Sequence, residues 1–331
     1  MTYVIHGALG SPYSLKVRAA MRAKRLPHLW KHLDAAALDD PRKKVKVPVI
    51  PIIERPDGSH TNDSTPFLLD LETSGEGRSI LPDDPADRFA CLLIEDMADE
   101  WVTKAMFHYR WARPVDADQL SKWLIFDNLS AAGRDKIEAL AAGIAERQIG
   151  RMPIVGCTPD TAPIIEGSAK RLIKLLDAHV TETRFLFGPR ASLADVALYG
   201  QLAQLALDPT PSAMFRAEAP YAFHWLDHVA DASGADGAWT ANALDTPLIA
   251  GLLAMAGDTY LPFLLANTAA IEAGESTFTV DLEGVPFSQG TFGYQAKCLA
   301  QLRSHWADLP EAGKSRLAAA IGPTASGLAA G

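Results

Sequence analysis

The chain has 331 residues, of which 48% are hydrophobic and 21% charged, with a formal net charge of −9. This length predicts two domains with substantial cores, because domains usually contain about 100–200 residues. A negative chain without a basic run interleaved with aromatic residues is a poor ligand for phosphate backbones, so we expect no nucleic-acid partner.

The cysteines and the N-terminus indicate the compartment. Cys91, Cys157 and Cys298 lie far apart and make no metal-spaced pair, which predicts reduced thiols and no metal site. No basic segment followed by an apolar run opens the chain, and no uninterrupted apolar stretch is long enough to span a bilayer. We therefore expect a soluble, cytoplasmic protein without a membrane partner.

The first motif is Gly10–Arg18, between a predicted strand at Tyr3–His6 and a predicted helix from Pro12 or Tyr13. Proline suits the first helical turn because its missing N–H leaves no bond unmade. Ser11 then lies at a helix N-terminus, where free amides and the dipole favour an anion. The structural alternative is that Ser11 only caps the helix.

The next elements predict a small mixed sheet with helices against it. They are a strand at His28–Leu33, a helical piece at Ala35–Lys43, a hairpin of Ile52–Glu54 with Ser59–Asn62 around Pro56-Asp57-Gly58, and a helix from Asp63 or Ser64. Pro48 and Pro51 interrupt the β-like run before the hairpin, and a cis X-Pro bond would explain one of them. The hairpin length favours Ile50-Pro51, with Val47-Pro48 as the alternative.

Residues 1–82 resemble the thioredoxin-like N-terminal domain of cytosolic glutathione S-transferases. Ser11-Pro12-Tyr13-Ser14 is similar to the Ser-Pro-Phe-Ser of tau-class enzymes, and Asp63-Ser64 is similar to the acidic-residue–serine pair that opens a later helix in the family. The resemblance implies an α/β thioredoxin-like N-terminal domain followed by a larger all-α C-terminal domain.

The resemblance also implies roles for individual residues, with glutathione as co-substrate. Ser11 would activate the glutathione sulfur, and Tyr13 is the second choice for that hydroxyl. The implied glutathione-binding set is Ile50, Pro51, Asp63, Ser64, Tyr13 and Lys46. A solvated surface lysine is the alternative for Lys46. Serine at position 11 favours transfer over disulfide exchange, because a serine forms no mixed disulfide.

Residues 83–88 are predicted as a linker, and residues 89–331 as the helical domain, with an extension beyond the family's usual length from about residue 232. Trp101, Ala105 and His108 share a face of the first helix after the linker and are expected to line the cleft for the second substrate. Their alternative is ordinary core packing.

Residues 115–150 are predicted helical, with Trp123, Phe126 and Leu140 in the apolar set. Ser192 and Asp195 form a predicted capping box with a structural role. In the extension, Leu248–Leu265 predicts a core helix pair interrupted by Gly257 and Pro262, and Phe278–Leu282 predicts a strand. The default expectation is that the extension enlarges the helical domain. The alternatives are that it covers the substrate cleft or extends a dimer surface.

The sequence thus predicts a homodimeric glutathione transferase that acts on a small apolar electrophile. The main rival is a non-catalytic glutathione-binding or protein-interaction member of the same fold, since fold does not imply function. A serine hydrolase is disfavoured, because the chain has no Gly-x-Ser-x-Gly elbow.

Overall fold

A computed structural model describes residues 2–34, 40–129 and 131–329. Its N-terminal part contains the small mixed sheet that the sequence predicts. The sheet has four strands in the order β2-β1-β3-β4. Strand β1 pairs in parallel with β2 and antiparallel with β3, and Glu54 lies opposite His60 in the β3–β4 hairpin. The strands are β1 Tyr3–Gly7, β2 His28–His32, β3 Ile52–Glu54 and β4 His60–Asn62.

Two helices cover the buried face of this sheet, α1 Pro12–Ala23 and α2 Ser64–Thr73. Both begin where the sequence predicts, because Pro12 occupies the first turn of α1 and Asp63 stands at the N-cap of α2. The α1 side chains that face the sheet are fully buried, Val17 and Met21 among them. The sheet and these helices therefore share one core.

The segment before β3 is only partly described. Residues 35–39 of the predicted helical piece Ala35–Lys43 lie outside the described residues, and a single 3₁₀ turn follows at Pro41–Lys44. The Ile50–Pro51 peptide bond is cis, and it is the one cis bond among the described residues. The choice of Pro51 over Pro48 is therefore confirmed.

The helical domain begins earlier than predicted. Helix α3 spans Pro85–Met97, so the second half of the predicted linker 83–88 is helical. Asp84 explains the early start, because its Oδ1 accepts hydrogen bonds from the Ala86 and Asp87 N–H groups at 2.9 and 3.0 Å. A π-helical turn at Ala98–Val102 joins α3 to α4, Thr103–Ala112.

Six further helices complete the part of the chain that precedes the extension: α5 Pro114–Asn128, α6 Arg134–Arg151, α7 Ala162–Val180, α8 Leu193–Leu205, α9 Pro209–Glu218 and α10 Pro220–Ala230. Helix α8 is the buried centre. Its predicted capping box is confirmed: the Asp195 N–H donates to Ser192 Oγ, and the Ser192 N–H donates to Asp195 Oδ2 at 2.8 Å.

The predicted apolar set on α5 and α6 is not a core face. Trp123, Phe126 and Leu140 are 45%, 65% and 41% exposed, and Ala141 is the buried residue of α6. The two helices pack mainly against each other, so much of their apolar surface is left outside the core. The helices predicted over residues 115–150 are confirmed, and their apolar residues lie mostly outside the core.

The extension adds helices and one hairpin: α11 Pro247–Met255, α12 Leu261–Glu272, β5 Thr277–Leu282, β6 Val285–Gly290, α13 Gly293–Ala307, α14 Glu311–Ile321 and α15 Ser326–Ala329. The strand predicted at Phe278–Leu282 is confirmed, and it pairs antiparallel with β6. This part of the chain is therefore helical with a two-stranded insertion.

Gly257 and Pro262 do not break the apolar segment, because a π turn at Ala256–Tyr260 carries α11 into α12. The continuous run Pro247–Glu272 is long and apolar enough to cross a membrane by length and composition. Asp258 interrupts this run, so the prediction that no uninterrupted apolar stretch reaches that length is not contradicted. In addition, 67% of its most apolar window is buried inside the fold, as in a core helix.

Candidate functional site

A cavity of about 760 Å³ lies between the N-terminal sheet domain, the helical domain and the extension. It is lined by the loop at Gly10–Tyr13, residues before the cis-proline, the run from Glu100 through α4, and the start of α13. The polar and charged lining residues are Ser11, Tyr13, Arg42, Glu100, Thr103, Lys104, Arg110, Asn128, Gln148, Arg151, Gln289, Thr291 and Gln295. Another hollow, of about 800 Å³, lies among α13, α14 and α15, and none of the predicted site residues lines it.

Ser11 reaches the cavity from the N-terminus of α1 and is 8% exposed. Its Oγ accepts a hydrogen bond from the Ser14 N–H at 3.3 Å, so it is the N-cap. Within the described part of the chain, no acceptor takes the Ser11 hydroxyl hydrogen. Both readings of Ser11 are therefore compatible, because the oxygen caps the helix while the hydrogen remains available to a ligand.

Tyr13 also lines the cavity, but its hydroxyl is engaged. It donates to the Asp99 carbonyl oxygen at 3.0 Å. Burial, together with the charges of Glu100 and Asp99, raises the pKa of this phenol well above its usual value. Tyr13 therefore stays protonated and points its hydrogen at the protein.

The other predicted glutathione residues divide into two groups. Ile50 lines the cavity, and Pro51 is buried behind it. Asp63 and Ser64 lie at the start of α2 and are not among the lining residues. Lys46 is exposed and does not line the cavity either.

Asp63 has an unusual backbone, with φ at +74°. Non-glycine residues in such regions cost about 1–3 kcal/mol and cluster at functional sites. Its carboxylate accepts from the Tyr294 hydroxyl, which lies 3.0 Å from each of the two oxygens. Burial raises the Asp63 pKa, and the Tyr294 hydrogen bond acts against that rise.

The predicted second-substrate residues Trp101, Ala105 and His108 are not brought to the cavity. Trp101 packs on Phe263 and Phe287 with ring centroids 5.6 and 5.5 Å apart. His108 Nε2 lies 2.9 Å from a Glu166 oxygen.

The extension covers Trp101 through Phe263 of α12 and Phe287 of β6, whereas Ala105 and His108 face helix α7. A neighbouring face of the same run lines the cavity instead, with Glu100, Thr103, Phe107 and Arg110.

Sequence reasoning missed Lys104. This lysine is 3% exposed, lines the cavity, and donates to the Val155 carbonyl oxygen at 3.0 Å and to Gln289 Oε1. Burial lowers its pKa to about 8, although the charge of Glu100 acts in the opposite direction. The available signal was a lysine between two apolar stretches, Trp101–Val102 and Ala105–Phe107.

Glu100 was missed as well. Burial, with the nearby Asp96 charge, raises its pKa to about 8, and Gln295 Nε2 donates to its Oε2 at 3.0 Å. No local pattern could have linked Glu100 to Gln295, because almost 200 positions separate them in the chain.

The fold and the cavity define a protein with a thioredoxin-like domain joined to a helical domain. Two family models match the sequence: "Glutathione S-transferase, N-terminal domain" over residues 5–79, and "Glutathione S-transferase, C-terminal domain" over residues 135–228. The chain belongs to the glutathione S-transferase family. Neither match reaches the extension, and among curated proteins the sequence has no significant match.

Several solved structures are similar to this chain. A glutathione S-transferase from Methylobacterium radiotolerans, in complex with glutathione sulfonate, is 21% identical, with a TM-score of 0.42, over 69% of this chain and 90% of that one. A tau-class enzyme from mango (Mangifera indica) is 20% identical, with a TM-score of 0.40, over 69% and 87%. A beta-etherase from a Sphingobium species is 18% identical, with a TM-score of 0.44, over 69% and 95%.

Proposed function

We propose that the chain is a glutathione transferase in which Ser11 activates the glutathione sulfur. The observation that carries this proposal is the position of Ser11, at a helix N-terminus with its hydroxyl hydrogen free and its side chain on the cavity wall. A thiolate bound there would accept that hydrogen and meet the positive end of the α1 dipole.

The proposed reaction follows from thiol chemistry. A free thiol with a pKa near 8.5 is mostly protonated at neutral pH, so stabilising the thiolate releases its proton to water. The thiolate then forms a carbon–sulfur bond with the electrophile, and the leaving group departs with the electrons of the broken bond. Each pKa unit gained by the thiol is about 1.4 kcal/mol of differential stabilisation.

The remaining glutathione contacts are carried by Ile50, Pro51, Asp63 and Ser64, as the resemblance implies. We rank Tyr13 behind Ser11 as the activator, because its hydroxyl already donates to Asp99. The exposed Lys46 is a weak choice for the glycyl carboxylate, since Arg42 lines the cavity and Lys46 does not.

The second substrate is proposed to be a small apolar electrophile. The cavity wall supplies apolar and aromatic side chains for it from several elements: Phe107, Trp111, Leu124, Ile154 and Phe292. A volume of about 760 Å³ falls within the usual range for small-molecule sites.

The test is Ser11→Ala, assayed with glutathione and chlorodinitrobenzene. We expect kcat to fall by about a hundredfold, since removing one donor to a developing anion typically has an effect of that order. The glutathione Kd should change by less than about twofold, because one weak thiol contact contributes little to affinity.

Ser14→Ala is the matched control, because Ser14 is fully buried in α1 and its Oγ has no hydrogen-bond partner among the residues that the structure describes. Its turnover should equal that of the wild type. Unchanged turnover in Ser11→Ala would reject Ser11 as the activator.

The alternative is a non-catalytic glutathione-binding member. The observation that favours it is the extension, which adds about a hundred residues beyond the part that the family models match. It predicts glutathione binding without turnover of any electrophile in a panel of halides, enones and epoxides. The cytoplasmic location, the homodimer and a role in detoxification stay predictions from the family resemblance.

A further inference from the structure

The extension contributes a turn to the candidate site, at Phe292–Gln295, which leads out of β6 and forms the first turn of α13. The fully buried Asn267 holds this turn with two hydrogen bonds. Its Oδ1 accepts from the Phe292 N–H at 2.8 Å, and its Nδ2 donates to the Phe292 carbonyl oxygen at 3.1 Å. Gln295 fixes the other end of the turn through Glu100.

This anchored turn carries Tyr294 to the N-terminal domain. The Tyr294 hydroxyl is equidistant from the two Asp63 carboxylate oxygens, 3.0 Å from each. It is therefore a direct link between the extension and the start of α2, 231 residues away in the chain.

The contact leaves Asp63 able to bind a cation. A carboxylate has about four acceptor positions, and a single hydroxyl supplies one hydrogen. A hydrogen bond to the charged form also favours ionisation, and in this way Tyr294 acts against the effect of burial on Asp63. The positive φ of Asp63 fixes the direction in which its side chain leaves the backbone.

We propose that Tyr294 is a positioning residue for glutathione, which holds the Asp63 carboxylate ionised and oriented toward the γ-glutamyl ammonium group. This inference rests on the proposed function and deepens it. The extension then completes the γ-glutamyl end of the site, in addition to enlarging the helical domain.

The test compares glutathione with an analogue in which hydrogen replaces the γ-glutamyl amino group. Calorimetry on the full-length protein should show that Tyr294→Phe weakens glutathione binding by about five- to tenfold, an effect of the order that one net hydrogen bond contributes. Binding of the analogue should change by less than about twofold, because it has no ammonium for Asp63 to hold.

Tyr221→Phe is the control, since Tyr221 is 61% exposed on α10 and does not line the cavity. It should leave both affinities unchanged. Equal weakening of the two ligands by Tyr294→Phe would assign Tyr294 a purely structural role and overturn the proposal. Tighter glutathione binding would also overturn it, because Tyr294 would then be an occluding residue.

The two proposals fail in different ways. If the wild type binds neither glutathione nor the analogue, the proposed function and this inference are both wrong. If the wild type binds glutathione and turns over with Ser11 dependence, but Tyr294→Phe binds both ligands normally, only the role of Tyr294 is wrong.

Discussion

Lys16 is a fully buried lysine at the boundary between the two domains. Its Nζ lies 2.6 Å from Asp99 Oδ2, contacts Glu95 Oε1, and donates to Thr65 Oγ1 at 3.0 Å. Burial acts to lower the Lys16 pKa, but the two carboxylates outweigh it and raise the pKa above its usual value. Lys16 is therefore charged, and its role is to compensate buried acids.

Lys16→Met should lower the free energy of unfolding by about 3–5 kcal/mol at pH 8, because two buried carboxylates lose their counterion. The loss should be smaller at pH 5. Burial raises the pKa of Asp99 to about 6, so at pH 5 this carboxyl can take up a proton in place of its lost counterion. Urea denaturation at the two pH values measures both quantities. An equal loss at both would contradict this account.

At the scale of elements, α8 is the helix around which the domains meet. It packs against α1, and a Cβ added at Gly200 would lie 2.6 Å from the Pro12 carbonyl oxygen. Backbone at that distance cannot move aside as a flexible side chain can. Gly200 therefore permits the close approach of α8 to the helix that presents Ser11.

Gly200→Ala should destabilise the protein by about 1–3 kcal/mol, as overpacking does. It should also reduce turnover, because α1 must shift. Gly167→Ala is the matched control: it lies within helix α7, and its added Cβ meets nothing within 4 Å. This control should gain about 0.5–1 kcal/mol from helix propensity. Thermal unfolding should show a lower midpoint for Gly200→Ala, and a higher midpoint for Gly167→Ala, than for the wild type.

The run from α3 to α4 carries an apolar stripe whose helical spacing was predicted but whose contacts were not. Its apolar stripe continues from Trp101 back through Met97 and Ile94, and all three are buried. Which neighbour buries that stripe could not be read from its periodicity. Helix α8 and the extension pack along α3, and α7 packs on α4. The stripe is therefore core, and the next face forms the cavity wall.

At the scale of the whole molecule, the space between the helical domain and the extension holds several acids with raised pKa values. Burial, with like charges nearby, raises the pKa of Asp96 to about 7 and that of Glu100 to about 8. Asp96 accepts a hydrogen bond from the Tyr260 hydroxyl at 2.7 Å. These groups link stability to pH.

The folded state holds protons on these acids between about pH 4 and pH 7, where the unfolded chain has released them. Stability should therefore fall as the pH rises from about 5 to 8. Surface carboxyl groups with a lowered pKa, such as Asp57, change the stability with pH only below this pH range. Lys104, with its pKa lowered to about 8, changes the stability with pH mainly above this pH range.

Asp96→Asn should flatten this pH dependence by about 2 kcal/mol between pH 5 and 8, since the amide cannot ionise. Thermal midpoints of the wild type and the variant, measured across that range, test the prediction. A wild-type midpoint that rises steadily from pH 5 to 8 would show that the buried acids do not control stability.

The local chemistry of this protein was determined by its sequence. Caps, turns and proline positions act over a few residues, so Ser11, the hairpin after Pro51 and the box of Ser192 with Asp195 were all predicted. Tertiary structure decided the composition of the cavity wall and the partner of Asp63. Gln295 reaches the cavity wall, and Tyr294 reaches Asp63, because the extension packs against much earlier parts of the chain. Periodicity indicates which side chains are apolar, but it does not indicate which residues they will contact.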